Sequence, residues 1–397
     1  MSHRYIVFSI IGIDALILFL QTFNVSISAA EASLLYGEFS FLQLLTKASL
    51  ALIGNNDLGL RFVMILFHLM SAVLVYEISK EYISQQRNQI WLLLVFLLLP
   101  GVVSSAIVVN SAGMVIFGLL LFIYLSKKVP QYILNVLLLL YSIIDIGFAY
   151  LFLGLSVYYV LNKKSLLFIY TIALYLLTSY LYGFDAYGYP KGHFLDTIGV
   201  YGAIFTPIIF IYLSYTLFRR YLTSNVDMLW YISSTALLLS LILSFRQKIA
   251  IEHFAPYLII ALPLAAQSFI SSYRVRLKGF RKSYKLAFVL SFIFLFLNTF
   301  VVSYNKELYH YIDNPKRHFA YNMHVAKELS EDLKSKSIKC VSTTKGMQLR
   351  LRFYEIDFCK EHKLIDMPLN THENTDVTIS YNNRDIYKAN VTKINNL

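Results

Sequence analysis

Apolar residues run almost without interruption from residue 5 to residue 303, broken only by short polar or basic corners, whereas residues 304–397 have the mixed texture of water-soluble sequence. Read as spans of about 17–25 residues, the pattern predicts an α-helical polytopic membrane protein with about eleven transmembrane helices. They fall near residues 5–22, 58–77, 90–109, 112–126, 131–145, 147–161, 166–182, 198–218, 228–245, 254–272 and 286–303. A single straight helix over 131–161 would be about 46 Å long against a core of about 30 Å. Two short passes turning near Asp145 and Gly147 are therefore expected.

Between the first two spans lies a segment of a different kind. Phe41, Leu44, Leu45, Ala48 and Leu52 fall on one helical face, with Ser40, Gln43 and Lys47 opposite. That pattern predicts a helix at about 33–54 lying in the membrane interface. In the tail, Val325, Leu329 and Leu333 repeat every four residues and predict a helix, with strands expected at 338–343, 355–359 and 376–381. Alternating helix and strand suggest a small α/β domain. The expected organisation is a transmembrane domain over 1–303 and a soluble α/β domain over 304–397.

Composition agrees with the membrane class: 57% of residues are hydrophobic, 15% are charged, and the mean hydropathy is +0.58. The net charge of +12 is not a nucleic-acid signature, because fifteen of the 35 Lys and Arg mark the ends of hydrophobic spans. Arg4, Lys80, Arg87, Lys127, Lys128, Lys163, Lys164, Arg219, Arg220 and the run from Arg274 to Lys285 fit the positive-inside rule with a cytoplasmic N-terminus and an extracytoplasmic tail. A secretory signal is the competing interpretation of the first span, since Ser28, Ala29 and Ala30 resemble a cleavage site. Its apolar stretch exceeds the usual 7–15 residues of a signal core, which favours an uncleaved helix.

With that topology the outward corners share an unusual stock of ionisable groups. Glu31, Glu38, Asp185, Lys191, His193, Asp196, Arg246, Lys248, Glu252 and His253 all belong to one side, with Asn110 and Asp145 beside them. Charges at a membrane boundary are costly unless hydrated or paired, so they are candidates for function. Phosphate-binding loops, dinucleotide fingerprints, zinc-protease and serine-hydrolase motifs do not occur. The His and Cys residues show no metal-ligand spacing, and no cofactor is evident. Cys340 and Cys359 fall on expected strands in a compartment that oxidises thiols, which predicts a disulfide.

The order of elements resembles the GT-C glycosyltransferases, the polytopic superfamily that includes protein O-mannosyltransferases and the lipid A aminoarabinose transferase. The resemblance is carried by Glu31 and Ala32, by the interfacial helix leading through residues 54–60 to Arg61, and by the helix ending at Lys80. A second match runs from Arg246 to Ala265 through His253, Pro256 and Pro263. Together they cover about a quarter of the chain. The resemblance implies transfer of a sugar from a polyprenyl phosphate to an envelope lipid, glycan or protein on the outer face of a membrane such as the bacterial inner membrane. Glu31 would act as catalytic base, with Glu38, Asp185 or Asp196 as alternatives. Arg246, Lys248 and His253 would hold the lipid phosphate, and Lys191 and His193 are further loop candidates. The family's acidic pair reads Ala30 and Glu31 here, and Ala112 stands near the place of a second acid. Either another outward carboxylate has taken over, or the chain is a non-catalytic relative. A polysaccharide polymerase or ligase remains a further alternative.

Overall fold

The computed structural model describes residues 3–183, 192–369 and 375–393. It divides into two compact units, one formed by Met1–Leu16 with Met64–Thr299 and the other by Ile17–Val63 with Phe300–Leu397.

The first unit is helical. Among the described residues, four helices of the chain are long and apolar enough to cross a membrane, and three bent pairs bring the number to seven if each pair is one span. The long ones are Arg4–Thr22, Asp57–Tyr82, Ser165–Tyr182 and Lys278–Ser303. Shorter apolar helices include Ser111–Ser126, which is largely buried, and Gln131–Ile144 and Met228–Ser244, which each bury one side. The chain is a multi-pass membrane protein. Its buried centre is built from Phe96, Phe122, Phe148, Phe152, Tyr201, Phe254 and Tyr257.

Three spans expected to be straight are broken. Residues 90–109 bend by 58° between Gln86–Leu97 and Pro100–Ile107, and 254–272 bend by 40° between Ile251–Ile259 and Leu262–Val275. Residues 198–218 turn by 106° between Phe194–Phe205 and Pro207–Leu222. In each case a proline opens the second helix, at Pro100, Pro263 and Pro207. Proline is acceptable at a first helical turn and disruptive in an interior. At the sharpest bend Thr206 also takes φ 64. The expected turn near Asp145 is present: Gln131–Ile144 ends there, and a 3₁₀ turn, Ile146–Phe148, leads into Ala149–Leu161.

Asp14 and His68 meet between two of the long helices, Oδ2 to Nε2 at 2.8 Å, with His68 stacked on Phe96. An ionisable pair among apolar helices gives each group a counterpart where water is absent. It gives the first helix a specific docking contact beyond apolar packing.

In the second unit, Phe41–Ile53 buries Leu42, Gln43, Thr46, Ser49 and Leu50 and leaves Leu44, Ala48 and Leu52 exposed. The polar Gln43 points inward because its amide donates to the carbonyls of Leu34, Leu35 and Gly37. An apolar stripe is thereby left exposed. In the tail the expected helix is Ala326–Ser335. Three strands, β1 (His362–Met367), β2 (Val377–Tyr381) and β3 (Arg384–Lys393), form an antiparallel sheet in the order β1-β3-β2. The strands expected at 338–343 and 355–359 are replaced by single bridges, Cys340 to Asp357 and Ser342 to Lys363. A helix unforeseen from sequence, Lys345–Phe353, intervenes between them and leaves each stretch too short for a ladder.

Cys340 and Cys359 are joined in a disulfide, their Cα atoms 5.4 Å apart. Closing a loop of this length stabilises a domain by about 3 kcal/mol in the chain-entropy model. Thiol labelling of the unreduced chain should therefore find no reactive cysteine, and reduction should lower the unfolding temperature of the tail. Full labelling without reductant would contradict the bridge.

Candidate functional site

The first unit gathers three of the polar corners that the sequence expects on one side of the membrane. Asp145 adopts an extended backbone, ends one helix, and caps the following turn by accepting the Gly147 N–H at 2.7 Å. The Tyr257 hydroxyl donates to the Gly147 carbonyl at 2.6 Å, and Tyr150 packs on Phe254 at 3.9 Å between ring centres. These contacts fasten Ile251–Ile259 to residues 145–150. Gly147 has no room for a side chain: a Cβ there would lie 2.6 Å from Val115 Cγ2, 2.9 Å from Asp145 Oδ1 and 3.5 Å from His253 Cδ2. The glycine lets a carboxylate and an imidazole approach the same stretch of backbone. Asp145 and His253 are both half-buried.

Beside this corner, the His193 N–H donates to the Ser244 carbonyl at 2.8 Å, and Phe194 stacks on Phe245 at 4.4 Å. His193 Nδ1 lies 3.2 Å from Asp196 Oδ2. The segment carrying Arg246 and Lys248 therefore starts next to His193 and Asp196. Arg246, Lys248, Glu252 and Asp196 are exposed. Asp185 and Lys191 lie outside the described residues.

Glu31 belongs to the second unit and is fully buried. Its Oε2 accepts the Ser28 N–H at 2.8 Å while Ser28 Oγ accepts the Glu31 N–H at 3.1 Å, a reciprocal cap on the helix Ala29–Tyr36. Arg61 Nη2 reaches the same Oε2 at 3.3 Å, and Arg61 Nη1 lies 3.8 Å from Asp57. Arg61 also donates to the carbonyls of Val25 at 2.8 Å and Ser26 at 3.0 Å. Asp57 in turn pairs with Lys327 at 2.9 Å and accepts from the Tyr354 hydroxyl at 2.6 Å. Arg350 Nε donates to the Ile27 carbonyl at 2.8 Å. Residues 22–28, which precede the acidic position implied by the sequence resemblance, are thus held by two buried arginines. Ala30 at that position is exposed, as is Glu38.

Behind Arg350 the same unit holds a polar core. The Arg350 guanidinium donates to the His324 carbonyl, and the His324 ring Nδ1 lies 2.8 Å from the Tyr309 hydroxyl. Tyr309 stacks on His318 at 4.2 Å. His318 donates from Nε2 to the Asn305 carbonyl and accepts the Ala320 N–H at Nδ1, so it is the neutral Nε2–H tautomer. Lys306 pairs with Glu328 at 3.1 Å, and the Tyr381 hydroxyl donates to the same oxygen at 2.6 Å. Burial raises the Glu328 pKa, but Tyr381 and Lys306 outweigh it and hold the carboxyl below its usual range. Burial, reinforced by the charge of Lys306, pushes His324 down to about 3.

No family model matches the chain, and no curated protein matches it. Among solved structures it is similar to ArnT from Cupriavidus metallidurans bound to undecaprenyl phosphate, with a TM-score of 0.54 and 10% identity over 98% of each chain. The fold is ArnT-like. At this identity the likeness speaks for the architecture, which extends over both units of the chain. From sequence Asp145 is a turn residue among the polar corners; in the fold its turn also packs against the helix that carries His253. Its signal is local, an Asp two residues before a Gly between two apolar runs. The partners of Asp57 carry no such signal, since Tyr354 and Lys327 are some three hundred residues away in sequence.

His324 gives the second unit a definite pH dependence. An unfolded chain protonates this imidazole near pH 6.5, whereas the folded chain does so only near pH 3. The stability is complete above pH 6.5 and falls with acidification, by up to about 1.4 kcal/mol per pH unit between those values. Thermal unfolding measured from pH 7 to pH 4 should show this slope, and His324→Asn should remove one proton's worth of it. An unchanged slope in the variant would contradict the assignment.

Proposed function

We propose that the chain is a membrane glycosyltransferase that moves a sugar from a polyprenyl phosphate to an envelope lipid, glycan or protein acceptor. The observation that carries this is the ArnT-like fold over nearly the whole chain, in a neighbour whose structure contains undecaprenyl phosphate. In this reading the N-terminus is cytoplasmic, residues 1–303 form the membrane domain, and residues 304–397 and the candidate site face outward, as the basic corners imply.

The chemistry follows from the residues of the first unit. The acceptor hydroxyl attacks the anomeric carbon as the bond from that carbon to the phosphate oxygen breaks. The departing lipid phosphate needs positive charge, which exposed Arg246 and Lys248 and half-buried His253 supply. The acceptor proton goes to a carboxylate. Asp145 suits that task, being half-buried, fixed by the Gly147 N–H, and next to His253. Asp196, Asp185 and Glu38 are the alternatives. Glu31, the base implied by family resemblance, is better suited to balancing Arg61, because its side chain has no exposed surface. No step calls for a metal or nucleotide.

Exposed Ala30 favours a second reading, a non-catalytic relative that keeps the fold and has lost the acid. Transfer from a radiolabelled polyprenyl-phosphate sugar by the purified chain separates the two. Asp145→Asn should reduce the rate by about 10²- to 10⁴-fold, and Lys248→Ala should weaken use of the donor. If deleting the chain changes no glycan or lipid of the cell, the transferase reading fails.

A further inference from the structure

The corner between Leu262–Val275 and Lys278–Ser303 carries an unusual charge density. Residues 274–285 contain six Lys or Arg and no acid, whereas other basic corners use pairs such as Lys127 with Lys128 or Lys163 with Lys164. No Asp or Glu occurs anywhere from residue 253 to residue 306. The positive-inside rule explains the sign of this cluster but not its excess over the other corners.

The corner is also structured. Arg281 folds back across the turn, its Nε donating to the Arg276 carbonyl and its Nη2 to the Arg274 carbonyl, both at 2.9 Å. The Arg276 guanidinium lies 4.4 Å from the centre of the Tyr284 ring. From the helix Pro207–Leu222, Arg219 reaches in and donates to Ser272 Oγ at 2.8 Å. Arg274, Lys278, Lys282 and Lys285 remain exposed. The three lysines, at i, i+4 and i+7, share one helical face.

Apolar side chains interleave with these charges. Val275, Leu277 and Phe280 are 83%, 75% and 64% exposed. Beyond them, only 11% of the apolar window of Lys278–Ser303 is buried within the protein. A soluble polyanion would use the charges and leave those apolar groups in water. A phospholipid uses both, placing its phosphate at the basic groups and its acyl chains along the helix.

We propose that residues 274–285 form a binding surface for anionic phospholipid. The headgroup is met by Arg274, Lys278, Lys282 and Lys285, and the acyl chains cover Val275, Leu277 and Phe280. The surface is separate from the corners carrying Asp145 and His253, so it stands whether or not the chain transfers sugar.

Native mass spectrometry of the full chain in detergent, titrated with phosphatidylglycerol or with phosphatidylcholine, tests this. Each basic residue near a surface contributes about a fivefold gain in binding to anionic lipid. The chain should bind phosphatidylglycerol at least about tenfold more tightly than phosphatidylcholine, a preference that salt weakens. K278Q/K282Q/K285Q should abolish the preference, and K278R/K282R/K285R should keep it, which separates lost charge from lost folding. Equal binding of the two lipids, or an undiminished preference in the glutamine variant, would overturn the proposal. Displacement of the lipid by an equal concentration of soluble glycerol phosphate would overturn it too, because the acyl chains would then contribute nothing.

Discussion

A guanidinium buried without any exposed surface has to be neutralised where it sits, and Arg61 organises the second unit by meeting that demand. Moving an unpaired charge out of water costs several kcal/mol even after relaxation. Glu31 and Asp57 provide the counter-charge, Lys327 balances the second carboxylate, and the carbonyls of Val25 and Ser26 take further N–H groups. The planar fork of Arg can serve partners on two sides at once. Lysine, with one compact ammonium, would reach only part of this set.

The consequence is a fixed path for residues 22–28. Arg61 holds the carbonyls of Val25 and Ser26, Arg350 holds that of Ile27, and Tyr354 accepts the Ile27 N–H while donating to Asp57. An extended segment thus obtains from side chains the hydrogen bonds that a helix or sheet would have supplied. The same links tie residues 25–27 and Asp57 to the tail, with its disulfide and neutral His324. In the first unit, Gly147 plays a comparable part by letting the turn at Asp145 pack closely against the helix that carries His253.

The membrane class and much of the helical order were legible because apolar spans and basic corners repeat on the length scale of a bilayer. The turn at Asp145 could be read from length alone, since 131–161 is too long for one pass and too uniform for a loop. The 106° bend at Thr206 could not, because Pro207 inside an apolar run is equally compatible with a kink or with the first turn of a new helix. In the tail the helix at 326–335 was legible from Leu329 and Leu333. The strands at 338–343 and 355–359 were misjudged because their β-forming residues serve isolated bridges around a disulfide. For the site, proximity was the missing ingredient. Glu31 looks available in sequence because its neighbours are small and apolar, and its partner Arg61 looks like a span-edge cation. Only the three-dimensional arrangement joins them, and only there does Asp145 meet His253.

Stability measurements on three variants test most directly whether Glu31 is a counter-ion or a free base. If Glu31 neutralises Arg61, Glu31→Gln leaves a buried charge unpaired and should cost about 3–5 kcal/mol. Arg61→Gln should cost a similar amount, and the double variant should be more stable than the sum of the two losses predicts, with a coupling of at least about 1 kcal/mol. A Glu31→Gln chain as stable as the parent, with additive effects in the double variant and transfer alone abolished, would contradict the account and return the base to Glu31.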